Sequence, residues 1–457
     1  MYSIHPLDKQ FSHDFHRLSL FDEGVSAYIE KAETLFHTYL LSSIAAQISA
    51  IDELLVSQPE LRPGWQVTKG PVERTVETTC GTLTFSRRYY RHQESKEYAY
   101  LLDQVVGIAR YARVDDGLLV SLASSACTHS YQEAAREEAQ GRVSRTTVMN
   151  SVRSFSPPML PAVEPRRVCP ELHIQADEDY VALQQSRRGS AQIRLVAIHE
   201  PKEKVGAKRH ALVNRELISS VHESAEEFWE RVLDRIDAIY EWEKIDRIYL
   251  HGDGASWIRQ GLDVIPGSVF VLDGFHLERE LRSLCAGEKS LVDRIRTCLH
   301  PWDEERLREE VEMLVDSAVC SRERADEKLN YLCHQREGIE HHYALSHGGS
   351  CAEGLISHYL SKRFSRDPMG WSLRSLRSLS ALRIYQLNGG EMDSRLLARE
   401  QEMPVQMDQL QRHVQDHRER QRTKQGHDWN VIIPGVENAG GSLGGWMKGI
   451  QRGGFIQ

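Results

Sequence analysis

The chain has 457 residues, 40% of them apolar and 27% charged, and this length is enough for two or three domains. Its eight cysteines form no C-x-x-C pair, which argues against a disulfide framework or a zinc ribbon. No stretch approaches the roughly 20 consecutive apolar residues of a membrane helix, and the N-terminus lacks signal-peptide character, so we expect a cytoplasmic protein without a membrane partner. The net charge of −9 does not indicate nucleic-acid binding, but the charge is segregated: residues 303–340 carry twelve acids and six bases, and residues 361–385 carry six bases and one acid.

Residues 1–110 are predicted to form a mainly helical region with a short β segment. Apolar residues recur every three to four positions through 26–55, the period of a helix. The stretch GTLTFSRRYYRHQ, 81–93, then alternates as strands do, and Gly81 is predicted to lie in a turn. Its arginines and tyrosines suit either a nucleic-acid contact or a half-buried strand.

Residues 111–160 are predicted to contain a helix-turn-helix. One helix ends near Gly141 and a second begins at Ser144, a good N-cap residue. In a DNA-reading version of this motif, four side chains of the second helix would face a groove: Arg145, Thr146, Thr147 and Asn150. Helical hairpins of this kind also occur in proteins that never touch DNA. A proline-rich boundary follows, with SFSPPML and three further prolines up to residue 170.

Residues 168–276 are predicted to form the first part of an α/β core. Three strand candidates with short gaps between them, 171–184, 192–200 and 210–221, suit an antiparallel meander. Ser224 and Glu227 form a capping box that opens a helix. DRIYLHG and SVFVLD are the fourth and fifth strands. Charged helices fill 277–345, and a further helix begins near Cys351 within a segment, 346–400, that ends in basic residues.

The predicted order is β-β-β-α-β-α-β, a helical insertion, and a final helix. Three antiparallel strands followed by two that run parallel to the first are the ribonuclease-H-like topology. We therefore predict an α/β fold, a ribonuclease-H-like catalytic core with a mixed five-stranded sheet and an all-helical insertion, preceded by a mainly helical N-terminal DNA-binding region.

This order brings three acids that are distant in sequence toward one place. Asp177 and Asp179 share one face of the first strand, Asp253 ends the adjacent fourth strand, and Glu353 lies on the final helix. Carboxylates held close together repel one another unless some are protonated or a cation neutralises them. Mg²⁺ prefers oxygen ligands and substrate phosphate. The pattern thus indicates two-metal phosphoryl transfer on nucleic acid.

Each of these acids also has an ordinary interpretation. Asp253 stands between two glycines, where aspartate commonly forms a turn, and Glu353 suits the first turn of a helix. Asp273 and His276 form a D-x-x-H arrangement that suits either a contact with a metal-bound water or scissile phosphate, or a buried structural pair. Two carboxylates alone would also fit a glycosidase, although the segregated bases disfavour that alternative.

Several sequence blocks resemble a known family. ADEDYVALQ, GDGASWI, FVLDGFHLERE and AEGLISHYLSKRFSRDPMGW resemble motif blocks of the ISLre-type insertion-sequence transposases, a branch of the DDE transposases that is more distantly similar to Mutator-type transposases. GTLTFSRRYYRHQESKEYAYLLD, VSRTTVMNSV and ALRIYQLNGG extend the resemblance over most of the chain.

The resemblance implies catalytic and metal-binding roles for Asp177, Asp253 and Glu353, with Asp179 as an alternative first ligand. The C/D-x-x-H motif of Mutator-like relatives falls on Asp273 and His276, with aspartate in place of cysteine, and implies a catalytic role for His276. The implied cofactor is Mg²⁺ or Mn²⁺.

The resemblance further implies cleavage at the terminal inverted repeats of the element and strand transfer into target DNA. The partners would be double-stranded DNA and further copies of the chain, which would assemble on DNA at the nucleoid. The insertion and the basic run after the third acid would hold DNA, the latter through Lys362, Arg363 and Arg366. The tail, 401–457, is basic and glycine-rich. A ribonuclease-H-like nuclease or resolvase without strand transfer, and an inactive DNA-binding relative, remain open alternatives.

Overall fold

The computed structural model describes residues 6–158, 160–184, 189–207, 209–366 and 370–397. The chain divides into two compact units, one of which contains the residues up to Asp115 and the other those from Asp116 to Arg399. The predicted basic and glycine-rich tail lies outside the described residues.

The first unit combines helices with a small antiparallel sheet of strand order β1-β2-β3. Its elements are α1 Pro6–His16, α2 Leu20–Ser57, β1 Trp65–Thr78, β2 Gly81–His92, β3 Tyr98–Ala99 and α3 Leu101–Val105, with a 3₁₀ turn at Pro59–Leu61. Thr78 pairs with Gly81 across the β1–β2 turn, where the sequence predicts it. The C-terminal half of α2 packs its apolar residues against this sheet.

The basic and aromatic residues of β2 hold this first unit together. The guanidinium of Arg87 pairs with the buried Asp103, and that of Arg88 pairs with Asp52. Tyr90 is fully buried in the core. These contacts match the half-buried-strand interpretation for Arg87, Arg88 and Tyr90, whereas Arg91 is exposed.

Helix α2 contains a segment, Gly24–Ser57, that is long and apolar enough to cross a membrane by length and composition. The presence of this segment departs from the expectation that no part of the sequence is apolar enough to span a membrane. Uncharged serine, threonine and glutamine residues interrupt its apolar run, but they do not make the helix polar. The core helix of a soluble protein passes the same test. Ile48, Leu54 and Leu55 of this segment are buried within the unit, whereas Val25, Ile29, Phe36 and Leu40 are exposed.

The second unit begins with three helices, α4 Asp116–Ala126, α5 Tyr131–Ala139 and α6 Arg145–Ser154. A capping box of Ser130 and Glu133 begins α5, and the hydroxyl of Ser144 accepts a hydrogen bond from Thr147 N to begin α6. Gln140 and Gly141, both with positive φ, form the turn between α5 and α6. The helix pair therefore lies where the sequence predicts it.

A mixed five-stranded sheet forms the centre of the second unit, as predicted. Its strands are β4 Glu171–Ala182, β5 Ser190–Lys204, β6 His210–Val221, β7 Arg247–Gly252 and β8 Ser268–Leu272. The strand order is β6-β5-β4-β7-β8. Strands β4, β5 and β6 pair antiparallel, whereas β7 and β8 run parallel to β4.

One face of this sheet is apolar and is covered by α7, Ala225–Ile239. Ile174 and Leu250 of the sheet pack in one core with Phe228, Val232 and Ile236 of the helix. Their alternation along each strand follows from the two-residue side-chain period of a strand. The polar residues of β4 are thereby directed to the opposite face.

The remaining helices of the second unit follow the later strands. They are α8 Ser256–Arg259 and α9 Gly261–Val264 between β7 and β8, then α10 Gly274–Leu284, α11 Lys289–Leu299, α12 Glu304–Asp316, α13 Arg322–His334, α14 Arg336–Ala344, α15 Ala352–Leu355, a π-helical turn Ile356–Ser361, α16 Lys362–Phe364 and α17 Leu373–Leu387. Short 3₁₀ turns occur at Trp242–Lys244 and Ser394–Leu396. Helix α14 packs against β8, and α17 packs against β6.

Candidate active site

The polar face of the sheet carries the candidate site. His173, Gln175, Asp177 and Asp179 alternate onto this face along β4, and the parallel register places His251 of β7 beside Gln175. Asp253 follows β7 and Asp273 follows β8, both at the carboxyl ends of strands. In open α/β sheets this edge is where functional groups collect.

Asp177 is a buried carboxyl group. Its side chain is 8% exposed, and its Oδ1 accepts a hydrogen bond of 2.8 Å from Glu178 N. Burial raises the pKa of Asp177 to about 7, and the negative charges of Asp253 and Glu178 add to this increase against the opposing charge of His276. Two of the three predicted acids, Asp177 and Asp253, therefore lie close enough to affect one another.

Asp253 also forms the turn that its glycine neighbours predict. Its Oδ1 accepts a hydrogen bond of 2.8 Å from Ala255 N. Gly254 has a φ of +88°, and a Cβ at this position would lie 2.2 Å from the amide nitrogen of Gln335. The strained turn and the close approach of Gln335 both require glycine. Asp253 is thus a turn residue, as its ordinary interpretation predicts, and one of its carboxylate oxygens is used by the turn. The carboxylate nevertheless keeps its negative charge near Asp177.

Asp273 and His276 form a buried pair beside these two acids. Asp273 Oδ1 accepts from Phe275 N at 2.7 Å and begins α10, and its Oδ2 lies 3.7 Å from His276 Nδ1. Burial alone would raise the pKa of Asp273, but its partners His276, Phe275 and Ser350 outweigh burial and lower that pKa. Burial opposes protonation of His276, but Asp273, Asp177 and Asp253 outweigh burial and raise its pKa.

A serine bridge connects the last helical segment to this site. The hydroxyl of Ser350 lies 2.9 Å from Gln175 Oε1 and 3.0 Å from Asp273 Oδ2. Cys351 N donates a second hydrogen bond of 3.0 Å to Gln175 Oε1. Gln175 and Asp273 are almost fully buried, so these bonds fix the chain just before α15. Sequence reasoning missed Gln175 and Ser350, although the position of Gln175 two residues before Asp177 was an available signal.

Glu353, the third predicted acid, does not join Asp177 and Asp253. Its side chain is exposed and makes no hydrogen bond or ion pair with a described residue. Among the described residues, no group of three His, Cys, Asp or Glu side chains is close enough to hold a metal ion. The expected convergence of three carboxylates is therefore corrected to a pair. The bonds of Ser350 and Cys351 fix the start of the four-residue α15, and the Glu353 side chain points to solvent in its first turn.

Asp179, the alternative first ligand, has a different set of partners. Its Oδ2 accepts hydrogen bonds from Ser361 Oγ at 2.9 Å and from Ser365 Oγ at 2.7 Å. These bonds attach the helical segment after Glu353 to β4. Asp177 has the charge of Asp253 beside it and is therefore better placed than Asp179 to share a cation.

Five histidines lie behind the acidic pair, and the sequence analysis did not anticipate their grouping. His173 Nδ1 lies 3.2 Å from His251 Nε2. Contacts between rings extend this group as far as the loop before Ser350. Its members are His173, His199, His251, His342 and His347. Burial lowers the pKa of His173 and of His199 to about 4. The rings of His173 and His199 are therefore neutral near pH 7 and pack as polar core residues.

The residues predicted to bind DNA fall into two groups. Six are exposed or half-buried on the second unit: Arg145, Thr146, Thr147, Asn150, Lys362 and Arg366. Arg363 is 3% exposed instead, and its Nε donates a hydrogen bond of 2.8 Å to the backbone oxygen of Ala126. The expectation that Arg363 contacts DNA from an exposed surface is corrected, because its side chain folds inward onto the end of α4.

Comparison with known proteins places the chain among uncharacterised relatives. The sequence pattern of the Uncharacterised protein family (UPF0236) matches residues 19–401. Two UPF0236 proteins of Caldanaerobacter subterraneus subsp. tengcongensis are each 33% identical over 359 residues, which is 77% of this chain and 75% and 76% of the relatives. A third relative is 32% identical over 360 residues, which is 77% of this chain and 75% of the relative. Its name joins eleven gene designations of the same organism.

One solved structure with a detected likeness is the cryoEM structure of a simian T-cell lymphotropic virus intasome in complex with PP2A regulatory subunit B56 gamma. It is 13% identical, covers 52% of this chain and 74% of that chain, and has a TM-score of 0.14. A likeness at that score carries no argument about this chain.

Proposed function

The chain belongs to the uncharacterised protein family UPF0236, and we propose that it is a DDE transposase of an insertion sequence, similar to the ISLre type. In this proposal it cleaves DNA at the ends of the element and joins those ends to target DNA. The chain would act in the cytoplasm on nucleoid DNA, as an assembly of several copies.

The observation that carries this proposal is the close pair of Asp177 and Asp253. Asp177 lies on β4 two residues beyond Gln175, which pairs with His251 of the parallel strand β7, and Asp253 follows the end of β7. Burial raises the pKa of Asp177 to about 7, and the charge of Asp253 adds to this increase. A fold gains no stability from a buried carboxylate beside a second one. A divalent cation would remove this cost, and Mg²⁺ is usually held by one or two carboxylates together with substrate phosphate.

Two further findings support the proposal. The strand order β6-β5-β4-β7-β8, with β7 and β8 parallel to β4, is the order expected for a ribonuclease-H-like core. A relative whose name joins eleven gene designations in one organism is what repeated copying of a mobile gene would produce. Neither finding depends on the residues of the site.

Asp177 and Asp253 would hold Mg²⁺ or Mn²⁺ together with phosphate oxygens of the substrate; the exposed Glu353 is not part of this pair. Such ions activate an attacking oxygen and stabilise the leaving oxygen of a phosphodiester. The chain's own residues would do the rest. Gln175 and Asp273 hold Ser350 and thereby keep the start of α15 beside the acids. Burial opposes protonation of His276, but the surrounding acids outweigh burial and raise its pKa; this ring would face the scissile phosphate.

The basic helical segments fit DNA better than the insertion does. Arg145, Thr146 and Asn150 are exposed on α6, and Lys362 and Arg366 are exposed after α15. Residues 303–340 of the insertion carry twelve acids and six bases. Three of those bases already pair with a glutamate of the insertion: Arg308 with Glu304, Arg322 with Glu312, and Arg336 with Glu340. We therefore propose that this part of the insertion does not hold DNA.

The test is a cleavage assay with a duplex that carries the short inverted repeats flanking the gene, in the presence of Mg²⁺ and a plasmid target. We expect Asp253→Asn to abolish cleavage and to leave duplex binding intact. The exposed Asp263, on α9, offers a matched control, Asp263→Asn, which should cleave as the wild type does.

Each alternative outcome is informative. Cleavage at the wild-type rate by Asp253→Asn would remove Asp253 from the mechanism and refute the proposal. Cleavage by the wild type without any joined product would identify a nuclease or resolvase instead. Duplex binding without cleavage would identify an inactive DNA-binding relative.

A further inference from the structure

A pocket of about 470 Å³ lies in the second unit, away from the acidic pair, between α6 and the start of α17. Two helices pack together beneath it, α6 and α17. The described residues that line it include Arg145, Arg153 and Arg363 and no aspartate or glutamate. We call it the arginine pocket.

Hydroxyl groups hold the central arginine of the arginine pocket without neutralising it. Arg153 Nε donates to Ser375 Oγ at 3.0 Å, and a terminal nitrogen of the same guanidinium donates to Ser372 Oγ at 2.8 Å. Its other terminal nitrogen makes no hydrogen bond with a described residue. A serine hydroxyl orients a guanidinium but leaves its positive charge uncompensated, unlike a carboxylate.

The two other arginines add charge from opposite sides. Arg145 is exposed at the first position of α6 and has no hydrogen bond or ion pair with a described residue. Arg363 is buried, and its guanidinium carbon lies 4.9 Å from the centre of the Trp371 ring, which also lines the pocket. Arg145 and Arg153 bring two like charges to one cavity, and an anion would relieve their repulsion.

Two helix N-termini meet the same cavity. Helix α6, of 10 residues, begins at Arg145, and α17, of 15 residues, begins at Leu373 behind its N-cap Ser372. The first backbone N–H groups of a helix and its macrodipole favour a negative group. They act here together with the guanidinium groups of Arg145 and Arg153, so this part of the lining suits an anion with several acceptor oxygens.

From these features we infer that the arginine pocket binds a backbone phosphate of DNA, with Arg145 and Arg153 as its direct contacts and Arg363 as a charge behind them. The choice of DNA over a free anion rests on the proposed function. The pocket also opens beside the exposed Arg145 and Thr146 of the helix pair, where a polymer can continue across the surface. A phosphate contact of this kind positions a duplex without reading its sequence.

The experiment measures binding of the full-length protein to a labelled duplex of arbitrary sequence by fluorescence anisotropy, in EDTA, over a series of salt concentrations. Arg145→Ala and Arg153→Ala should each weaken binding to the same extent for unrelated sequences. Each should also reduce the slope of log K against log salt by about one. Arg308→Ala, at an exposed arginine of the insertion, is the control and should bind as the wild type does.

Binding and slope unchanged in both variants would overturn the inference, and so would a loss confined to one sequence. A second arm replaces the duplex with pyrophosphate or a nucleoside triphosphate. If these bind and a duplex does not displace them, the pocket serves a free anion and the DNA assignment is wrong. If Arg153→Ala fails to fold, Arg145→Ala decides the matter, because Arg145 is exposed and its side chain makes no hydrogen bond or ion pair with a described residue.

The outcome is separable from that of the proposed function, because the measurement in EDTA involves no cleavage. A chain that binds through the arginine pocket but never cuts DNA would refute the transposase proposal and leave this inference standing. A chain that cuts DNA while both arginine variants bind normally would refute this inference alone.

Discussion

Replacing Asp177 with asparagine should stabilise the metal-free protein against unfolding at pH 8. The carboxyl group is 8% exposed and stands beside the charge of Asp253, and its pKa of about 7 lies roughly three units above its ordinary value of 3.8. Each unit corresponds to about 1.36 kcal/mol, so the buried charge costs about 4 kcal/mol when it is fully ionised. A neutral carboxamide removes this cost and still accepts a hydrogen bond from Glu178 N.

The pH dependence has a definite sign. Because folding raises the pKa of Asp177, the stability that it contributes is fully present below about pH 3.8 and is lost as pH rises through about 7. Asparagine does not titrate and suffers no such loss. The free energy of unfolding of Asp177→Asn should therefore rise relative to the wild type by about 3 kcal/mol between pH 5 and pH 8.

Urea denaturation in EDTA, followed by tryptophan fluorescence at both pH values, measures this difference. Asp179→Asn is the matched control two residues along the same strand. Asp179 accepts hydrogen bonds from two serines, so its replacement should not stabilise the protein at either pH. A wild type as stable as Asp177→Asn at pH 8, or an equal gain in Asp179→Asn, would refute the view that Asp177 is a strained buried acid.

Three further changes test other parts of the account. Ser350→Ala should cost about 1–3 kcal/mol of stability, since it leaves the buried carboxylate of Asp273 with one partner fewer. The same variant should also slow DNA cleavage. Ser346→Ala, at an exposed serine of the same loop, is the control and should change neither the urea midpoint nor the cleavage rate. Because folding lowers the pKa of His199 to about 4, the stability it contributes is present above about pH 6.5 and is lost as pH falls toward 4, so a His199→Gln variant should show a flatter acid denaturation profile. Gly254→Ala should lower the melting temperature by several degrees, because its Cβ meets Gln335 and its φ is +88°. Gly354→Ala, at a helical glycine with open space around it, should melt no lower than the wild type.

The sheet could be predicted from the sequence because its signals are local. Alternation along β4 places Asp177 and Asp179 on one face, and the capping box at Ser224 marks the start of α7. The position of Asp253 at the end of β7 follows from the apolar run before it. Such signals depend on residues that are neighbours in the chain.

The details of the site could not be predicted, because they depend on contacts between distant segments. Ser350 meets Gln175 across 175 positions of sequence, and this bond fixes the start of the helix that carries Glu353. Nothing near Glu353 in the sequence indicates that its side chain points to solvent. Arg363 likewise stands in a basic run typical of an exposed surface, yet it bonds to Ala126, 237 positions earlier.

Titration of the chain with Mn²⁺ in the presence of end DNA, followed by electron paramagnetic resonance, tests most directly whether Asp177 and Asp253 share a cation. The wild type and Asp179→Asn should both bind Mn²⁺, and Asp177→Asn and Asp253→Asn should each lose that binding while they retain the DNA. Wild-type affinity for Mn²⁺ in Asp177→Asn or Asp253→Asn would contradict a cation site shared by Asp177 and Asp253. Loss of Mn²⁺ binding in Asp179→Asn would contradict it as well.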